Sequence, residues 1–266
     1  MENQNEVYKE TKSISDIYSD SFKVLKENWS IYLIAFIVAS VLGGAISGFR
    51  FVSNSNSALE ILLTIVNAIV SAIMTIIYIG TTSNTIGKGN VRKIGELISE
   101  NVWKLLLTQF ILFLIFSVPA FIVIFAVIML ISTTGAIGMI MPLMMVFMLA
   151  VFILVLKLMF VPHSVVLSDK NYWNALKWSW QKTKGQVGKI FIISLTPALF
   201  GIVAFILLRM DMMNLFVMIV LGVLGGIVGV IVSIAYAVLY LDVVDTPEQI
   251  DNTESKLFTL SDNTQM

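Results

Sequence analysis

The sequence predicts an all-α polytopic membrane protein with six transmembrane helices, arranged as three hairpins that each follow a cytoplasmic interfacial amphipathic helix. Only 13% of its 266 residues are charged, whereas soluble domains carry roughly 25%. Several uncharged apolar runs are near 20 residues long, the length that crosses a hydrocarbon core of about 30 Å as a helix. No run shows the alternation of a membrane β-barrel strand, so the spans are predicted to be helical.

The apolar runs divide the chain into three regions. Residues 1–30 are predicted to be a cytoplasmic segment with an amphipathic helix, because they are too long and too acidic for a signal peptide. Residues 31–241 form the membrane domain, and residues 242–266 form a polar, acidic cytoplasmic tail that is predicted to be disordered. The predicted spans are 31–49, 58–80, 105–131, 139–162, 190–208 and 215–241.

Basic residues alternate between the two sides of the predicted membrane. The N-terminal segment and the second and fourth connections hold thirteen of the 17 lysines and arginines: Lys9, Lys12, Lys23, Lys26, Lys88, Arg92, Lys93, Lys104, Lys170, Lys177, Lys182, Lys184 and Lys189. The other connections hold only Arg50 and Arg209. The positive-inside rule therefore predicts that both termini lie in the cytoplasm. Lysine far outnumbers arginine, which is typical of an AT-rich prokaryotic genome.

Each basic segment has the same design. Apolar residues recur at helical spacing in 14–29, 91–103 and 172–180, and each segment carries at least one tryptophan before an apolar hairpin. Ser13 and Asp16 are placed as a capping box at the first of these helices. Pro119 and Pro197 occupy similar places in spans three and five. We therefore predict an internal repeat of three tandem units.

The stretch "FVPHSVVLSDKNYWNALKWSWQKTKG" (160–185) carries a family resemblance. It resembles a group of prokaryotic membrane families that includes the membrane domain of glycerophosphoryl diester phosphodiesterases and the uncharacterised YciC-like proteins. The group's pattern has an aromatic-x-Pro, a short extended piece with an acidic residue, Ala-Leu-x-x-Ser-Trp and Lys-Gly. It is matched here by Phe160, Pro162, Asp169, Ala175, Leu176, Ser179, Trp180, Lys184 and Gly185.

The end of the last span extends the resemblance. The stretch "AYAVLYLD" (235–242) resembles the Tyr-x-Asp close of that group. The resemblance implies a six-span plasma-membrane protein of undefined role. Only 25 residues follow Leu241, too few for a catalytic barrel domain, so we expect no phosphodiesterase activity.

The predicted working surface is the interfacial helix before span five. Trp173 and Trp180 suit the headgroup level, and Lys177 and Lys184 can meet anionic headgroups. Membrane lipids are therefore the predicted partners. The alternative is that this composition only satisfies the membrane interface and binds nothing specific.

Three further residue types in or beside the spans are candidates for a functional role. Lys157 is a candidate functional charge within span four, although its place one turn before Pro162 also allows the side chain to reach the interface. His163 is the only histidine and there is no cysteine, so no metal or other cofactor is predicted. Methionines cluster at the predicted outer ends of spans three to six, which leaves a Cu(I) path as an alternative to simple packing.

Small residues predict close helix contacts. Gly44 with Gly48 in span one, and Gly222, Gly225, Gly226 and Gly229 in span six, have the small-xxx-small spacing of packed membrane helices. We predict packing within the chain, with a homo-oligomer seam as the alternative.

No catalytic constellation emerges, because the acids outside the termini and cytoplasmic loops have no partnering histidine or nucleophile. We predict a non-enzymatic protein with an accessory or scaffolding role in envelope or lipid handling. Another membrane protein is a second possible partner beside the lipids. The alternative is a transporter, or a peptide-export or immunity-type factor, for a small amphipathic molecule. Nucleic-acid binding is not expected, since the basic residues are spread along the membrane surface.

Overall fold

The computed structural model describes residues 11–52, 57–87, 92–134, 140–209 and 215–245. Within these ranges the chain forms helices joined by short turns, with no strand. The helices are α1 (Ile14–Glu27), α2 (Trp29–Val52), α3 (Ser57–Ile86), α4 (Ile94–Thr134), α5 (Ile140–Leu158), α6 (Val161–Ser168), α7 (Tyr172–Lys182), α8 (Val187–Arg209) and α9 (Leu215–Asp245).

Six stretches are long and apolar enough to cross a membrane, and they coincide with the six predicted spans. They lie in α2, α3, α4, α5 with α6, α8 and α9. The all-α polytopic membrane fold is therefore confirmed. Half of the capping box predicted for α1 is confirmed: Ser13 is the N-cap, and the Asp16 backbone N–H donates to Ser13 Oγ at 3.2 Å.

Several boundaries differ from the prediction. The second amphipathic segment is not a separate helix, because α4 runs unbroken through it into span three. Helix α5 ends at Leu158, within the predicted span four, and Pro162 lies in the first turn of the separate helix α6, where its missing N–H costs no helical bond. Helix α9 continues to Asp245, past the predicted start of the tail at residue 242. The disorder predicted for residues 246–266 falls outside the described residues.

The core lies at one end of the helical bundle, which we call the basic end. This end carries α1, the C-terminus of α3, the N-terminus of α4, and helices α6 and α7. The C-terminal half of α9 is its centre and packs against α1, α3 and α8. In the most apolar stretch of α9, 67% of the residues are buried, against at most 22% in the other five spans. The fold is therefore assembled around α9.

Away from the basic end, large apolar side chains are exposed on every span. Examples on α4, α5 and α8 are Phe121, Val146 and Leu199. In a membrane these side chains face lipid, and because lipid is as apolar as they are, their exposure has no free-energy cost. The lateral surface of the six spans is therefore suited to a bilayer.

Glycine packing agrees with the prediction at two positions. A Cβ built on Gly226 would lie 1.9 Å from the Phe36 ring of α2, and one on Gly225 would lie 3.0 Å from the Phe200 ring of α8. Added Cβ atoms at Gly44, Gly222 and Gly229 would meet nothing within 4 Å, so the predicted packing at these three is not seen among the described residues. The surroundings of Gly48 lie outside the described residues.

The glycine geometry gives a matched pair of substitutions. Gly226→Ala is expected to lower the free energy of unfolding by about 1–3 kcal/mol, because the Phe36 ring must move away from the new methyl group. Gly222→Ala, on the same helix and facing open space, is expected to be neutral or slightly stabilising. Unfolding in detergent micelles would compare the two. Equal losses of stability would contradict the close approach of α2 to α9.

Candidate functional site at the basic end

The family-like stretch folds into the two short helices α6 and α7. The prediction of a short extended piece after Pro162 is wrong, because residues 161–168 are helical. Helix α6 ends at Ser168 and is capped by Asp169. Asp169 has a φ of 49°, a left-handed conformation that aspartate adopts more readily than most residues. Its carboxylate forms an ion pair with Lys104 of α4. Asp169 therefore turns the chain between α6 and α7 and also contacts the start of span three.

One face of α7 is buried against α6 and the end of α5. Ala175, Leu176 and Ser179 form this face. Ala175 and Leu176 join a buried apolar cluster whose other members are Leu158, Val161 and Val165. The Ser179 hydroxyl donates to the backbone carbonyl of Lys157 at 2.8 Å. The Ala-Leu-x-x-Ser part of the motif thus fixes α7 to the end of span four: small residues permit the approach and the hydroxyl bonds a free helix-end carbonyl.

Three exposed residues of α7 and one residue just after it form a second face, which we call the Trp–Lys stripe: Trp173, Lys177, Trp180 and Lys184. At 3.6 residues per turn, positions 173, 177 and 180 fall within about 60° of each other. Lys184 follows in the turn after α7, just before Gly185, whose φ of 85° suits glycine. All four side chains are exposed, and neither lysine ammonium group has a hydrogen bond or an ion pair with any residue in the described ranges.

Lys157 lies beside this stripe. It is in the last turn of α5, and its Nζ is 5.7 Å from the centre of the Trp180 ring. That distance allows a cation–π interaction. The structure therefore brings the candidate intramembrane charge next to a residue of the family-like motif, at the basic end of its helix.

A cluster of aromatic rings joins α9 to α6 and α7. Tyr240 of α9 is at its centre, with ring centroids 5.7 Å from Phe160, 5.5 Å from His163 and 5.1 Å from Trp178. The Tyr240 hydroxyl is 2.7 Å from Ser168 Oγ. His163 therefore packs against aromatic rings. Trp178 was not predicted as a site residue, although its place on the same short helix as two other tryptophans was a signal.

The chain just before α1 is held at the centre of the basic end. The buried carboxylate of Asp242 accepts a hydrogen bond from the Lys12 backbone N–H at 2.8 Å. Lys189 of α8 donates to the Lys12 carbonyl at 2.7 Å and to Thr11 Oγ1 at 2.6 Å. Asp242 and Lys189 thus join α8 and α9 to the segment that leads into α1. Sequence reasoning placed Asp242 at the start of the tail and Lys189 among the basic residues of the fourth connection.

Most tryptophans are exposed at the basic end. The exposed fraction is 61% for Trp29, 73% for Trp103, 64% for Trp173 and 50% for Trp180. They come from all three of the basic segments, which the fold gathers at one end. Exposed indole rings on several neighbouring helices match the aromatic belt that membrane proteins place at a headgroup region.

Metal-ligating residues do not gather in the described part of the chain. There, no group of three or more His, Cys, Asp or Glu side chains could hold a metal ion. Met129, Met145 and Met148 are exposed on α4 and α5, and several of the other methionines lie outside the described residues. The Cu(I) alternative therefore stays a prediction.

Comparison with known proteins gave no match: no family model, no curated protein and no solved structure is similar to this chain.

Proposed function

We propose that this six-span membrane protein is a non-enzymatic accessory protein in envelope or lipid handling, and that the Trp–Lys stripe is its lipid-binding surface. The observation that carries the proposal is the division of α7 into a buried face and an exposed Trp–Lys face. Packing of α7 against its neighbours uses only the buried face, so packing does not account for the exposed tryptophans and lysines. The resemblance to the phosphodiesterase membrane-domain group remains part of this proposal.

The position of the stripe around α7 fits a headgroup region. By helical geometry the stripe lies about 120° from the buried face, and the polar side chains of Asn174 and Gln181 come next around the helix. A helix lying along the membrane surface would then turn its buried face to the protein, its tryptophans to the headgroups and its amides to water. Lys177 and Lys184 would reach anionic phosphates from the same level.

Neutralising the stripe is expected to weaken the preference for anionic lipid. Lys177→Gln with Lys184→Gln removes two charges, each worth about 1 kcal/mol near an anionic surface, which corresponds to about a tenfold to thirtyfold loss. Native mass spectrometry of protein released from equimolar phosphatidylglycerol and phosphatidylcholine would count the retained lipids.

The matched control is Lys177→Arg with Lys184→Arg, which keeps both charges and should keep the preference. Lys189 is not part of this test, because its Nζ already bonds Thr11 and Lys12. If the glutamine variant retains as much phosphatidylglycerol as the unaltered protein, the stripe is not the lipid-binding surface.

We also propose that the basic end faces the cytoplasm, as the lysine distribution predicts. The chain has no cysteine, so a single introduced thiol can be labelled without background. Lys184→Cys is expected to react with a membrane-impermeant maleimide only after the cells are opened. Glu60→Cys, exposed in the first turn of α3, should react in intact cells. The reverse pattern would overturn the orientation.

A further inference from the structure

Helix α3 carries a line of polar side chains along its length. Its members are three, four or seven residues apart: Thr64, Asn67, Ser71, Tyr78, Thr82 and Thr85. This is the repeat of about 3.5 residues that keeps one face of a helix toward a neighbouring helix. The line lies within the membrane-crossing stretch Ala58–Ile86, so a helix that crosses the membrane has a polar face.

At the basic end, α2 supplies partners for this line. The Asn28 amide Nδ2 donates to Thr85 Oγ1 at 2.7 Å, and the hydroxyl oxygens of Tyr32 and Thr82 are 3.0 Å apart. The rings of Tyr32 and Tyr78 are also neighbours, with centroids 5.8 Å apart. In this part of α3 the polar line is therefore a surface that packs against polar groups of another helix.

Further from the basic end the same line is exposed. Its members there are Thr64, Asn67 and Ser71, and we call these three residues the α3 polar face. Away from the basic end, the exposed side chains of α4, α5, α8 and α9 in the described ranges are apolar. The α3 polar face is therefore an exception on a surface that otherwise suits lipid.

Asn67 is the residue of this face that most needs a partner. Helix α3 begins at Ser57, so at 1.5 Å per residue Asn67 lies roughly 15 Å along it, near the middle of a ~30 Å hydrocarbon core. The Thr64 hydroxyl donates to the Glu60 carbonyl of its own helix at 2.8 Å. The Asn67 side-chain amide makes no hydrogen bond to any residue in the described ranges. An amide, with two N–H donors and an acceptor oxygen, is strongly unfavourable in hydrocarbon unless it is paired.

We propose that the α3 polar face is a dimer interface, against which α3 of a second copy of this chain packs in parallel. Two copies inserted in the same orientation are related by a two-fold axis along the membrane normal, which sets Asn67 opposite Asn67. An amide is both donor and acceptor, so the two side chains pair through reciprocal hydrogen bonds. Thr64 and Ser71 take the neighbouring positions of the repeat and are small enough for two backbones to approach.

The chemistry and shape of the face favour a second copy over a small ligand. All three side chains are neutral, so they offer no charge to bind an ion. The flanking residues Ile65 and Val66 are 52% and 38% exposed, so the surface is convex, whereas sites for small molecules are concave. A second copy also presents its own amide at the same depth in the membrane, because both chains cross it in the same way.

The test uses single cysteines, because the chain has none of its own. The purified full chain carrying Thr64→Cys or Ser71→Cys is placed in phosphatidylcholine vesicles at several protein-to-lipid ratios and oxidised. Both variants keep Asn67 and are expected to form a disulfide-linked dimer, since only facing positions come within the roughly 7 Å between Cα atoms that a disulfide allows. Val66→Cys is the matched control: it is exposed but lies roughly 150° around the helix from both positions, and it should stay monomeric.

A second substitution tests the amide itself. In the Ser71→Cys chain, Asn67→Leu is expected to weaken association about tenfold, the size of two hydrogen bonds between membrane helices. The monomer does not use this amide in the described ranges, so unfolding of the Asn67→Leu chain in micelles should show no loss of stability. Val66→Leu, a change on the other side of the same turn, should associate as the unaltered chain does.

Each outcome decides the proposal. Cross-links at positions 64 and 71 but not at 66, weakened by Asn67→Leu, would support the interface. Equal cross-linking at all three positions would indicate random collisions and would overturn it, as would association that Asn67→Leu leaves unchanged. Absence of cross-links at 64 and 71 would also overturn it, and reaction of Ser71→Cys with a charged, water-soluble thiol reagent would then assign the face to a hydrated groove. Substitutions at Lys177 and Lys184 should leave the dimer fraction unchanged, so this interface and the Trp–Lys stripe can fail independently.

Discussion

Tyr240→Ala is expected to lower the free energy of unfolding by about 3–5 kcal/mol, the range for deleting a large buried aromatic side chain. Tyr240 is 1% exposed, and its ring contacts Phe160, His163 and Trp178. These contacts join the C-terminal half of α9 to α6, α7 and the turn before α6. Loss of the ring would leave a cavity where these elements meet. Chemical unfolding in mixed micelles would measure the change.

Tyr240→Phe separates the ring from its hydroxyl. This variant keeps every ring contact and loses only the hydrogen bond to Ser168, so a cost of about 0.5–1.5 kcal/mol is expected. Tyr172→Ala is a second control, because Tyr172 is half-buried and its ring contact is with the exposed Trp173. A phenylalanine variant as unstable as the alanine variant would show that the hydroxyl, rather than the ring cluster, holds these helices together.

The spans could be predicted from the sequence because lipid imposes a simple requirement on length and composition. A helix that crosses the hydrocarbon core needs about 20 apolar residues, and each predicted run meets it. Helix boundaries depend on weaker signals. Trp103 and Lys104 are typical of an interface, yet the helical backbone of α4 continues through both. Pro162 is compatible with the end of one helix and with the start of the next.

The core could not be predicted from hydropathy, because a side chain facing lipid is as apolar as one facing another helix. Leu239 is buried and Leu199 is exposed, although both lie in predicted spans. The family-like pattern includes Ala175, Leu176 and Ser179, the three residues of α7 that the structure buries, but the pattern did not by itself predict their burial. It gave no sign that these residues meet Lys157, because that contact depends on how α5 ends and α6 begins.

Polar contacts between distant segments were also beyond sequence reasoning. Lys12 and Asp242 are 230 positions apart, and each lies in a stretch that composition alone assigns to a solvated terminus. Such contacts become visible only when the packing order of the helices is known.

Asp242→Ala is expected to detach the segment before α1 and to lower the free energy of unfolding by about 1.5–3 kcal/mol, the range for a hydrogen bond to a charged group. The carboxylate is 2% exposed and accepts the Lys12 backbone N–H, which would lose this partner. Hydrogen exchange should become faster in residues 12–20, because α1 is then held by fewer contacts. Unfolding in micelles together with exchange mass spectrometry would measure both effects.

Lys189→Met tests the same attachment from α8, since Lys189 bonds Thr11 and Lys12. Asp242 and Lys189 hold one short segment, so the double variant should lose less stability than the sum of the single variants. Asp20→Ala is the control: Asp20 pairs with the Lys12 side chain in a partly exposed ion pair, for which less than about 1 kcal/mol is expected. Strict additivity, or an Asp20 variant as unstable as the Asp242 variant, would show that the buried carboxylate does not anchor α1.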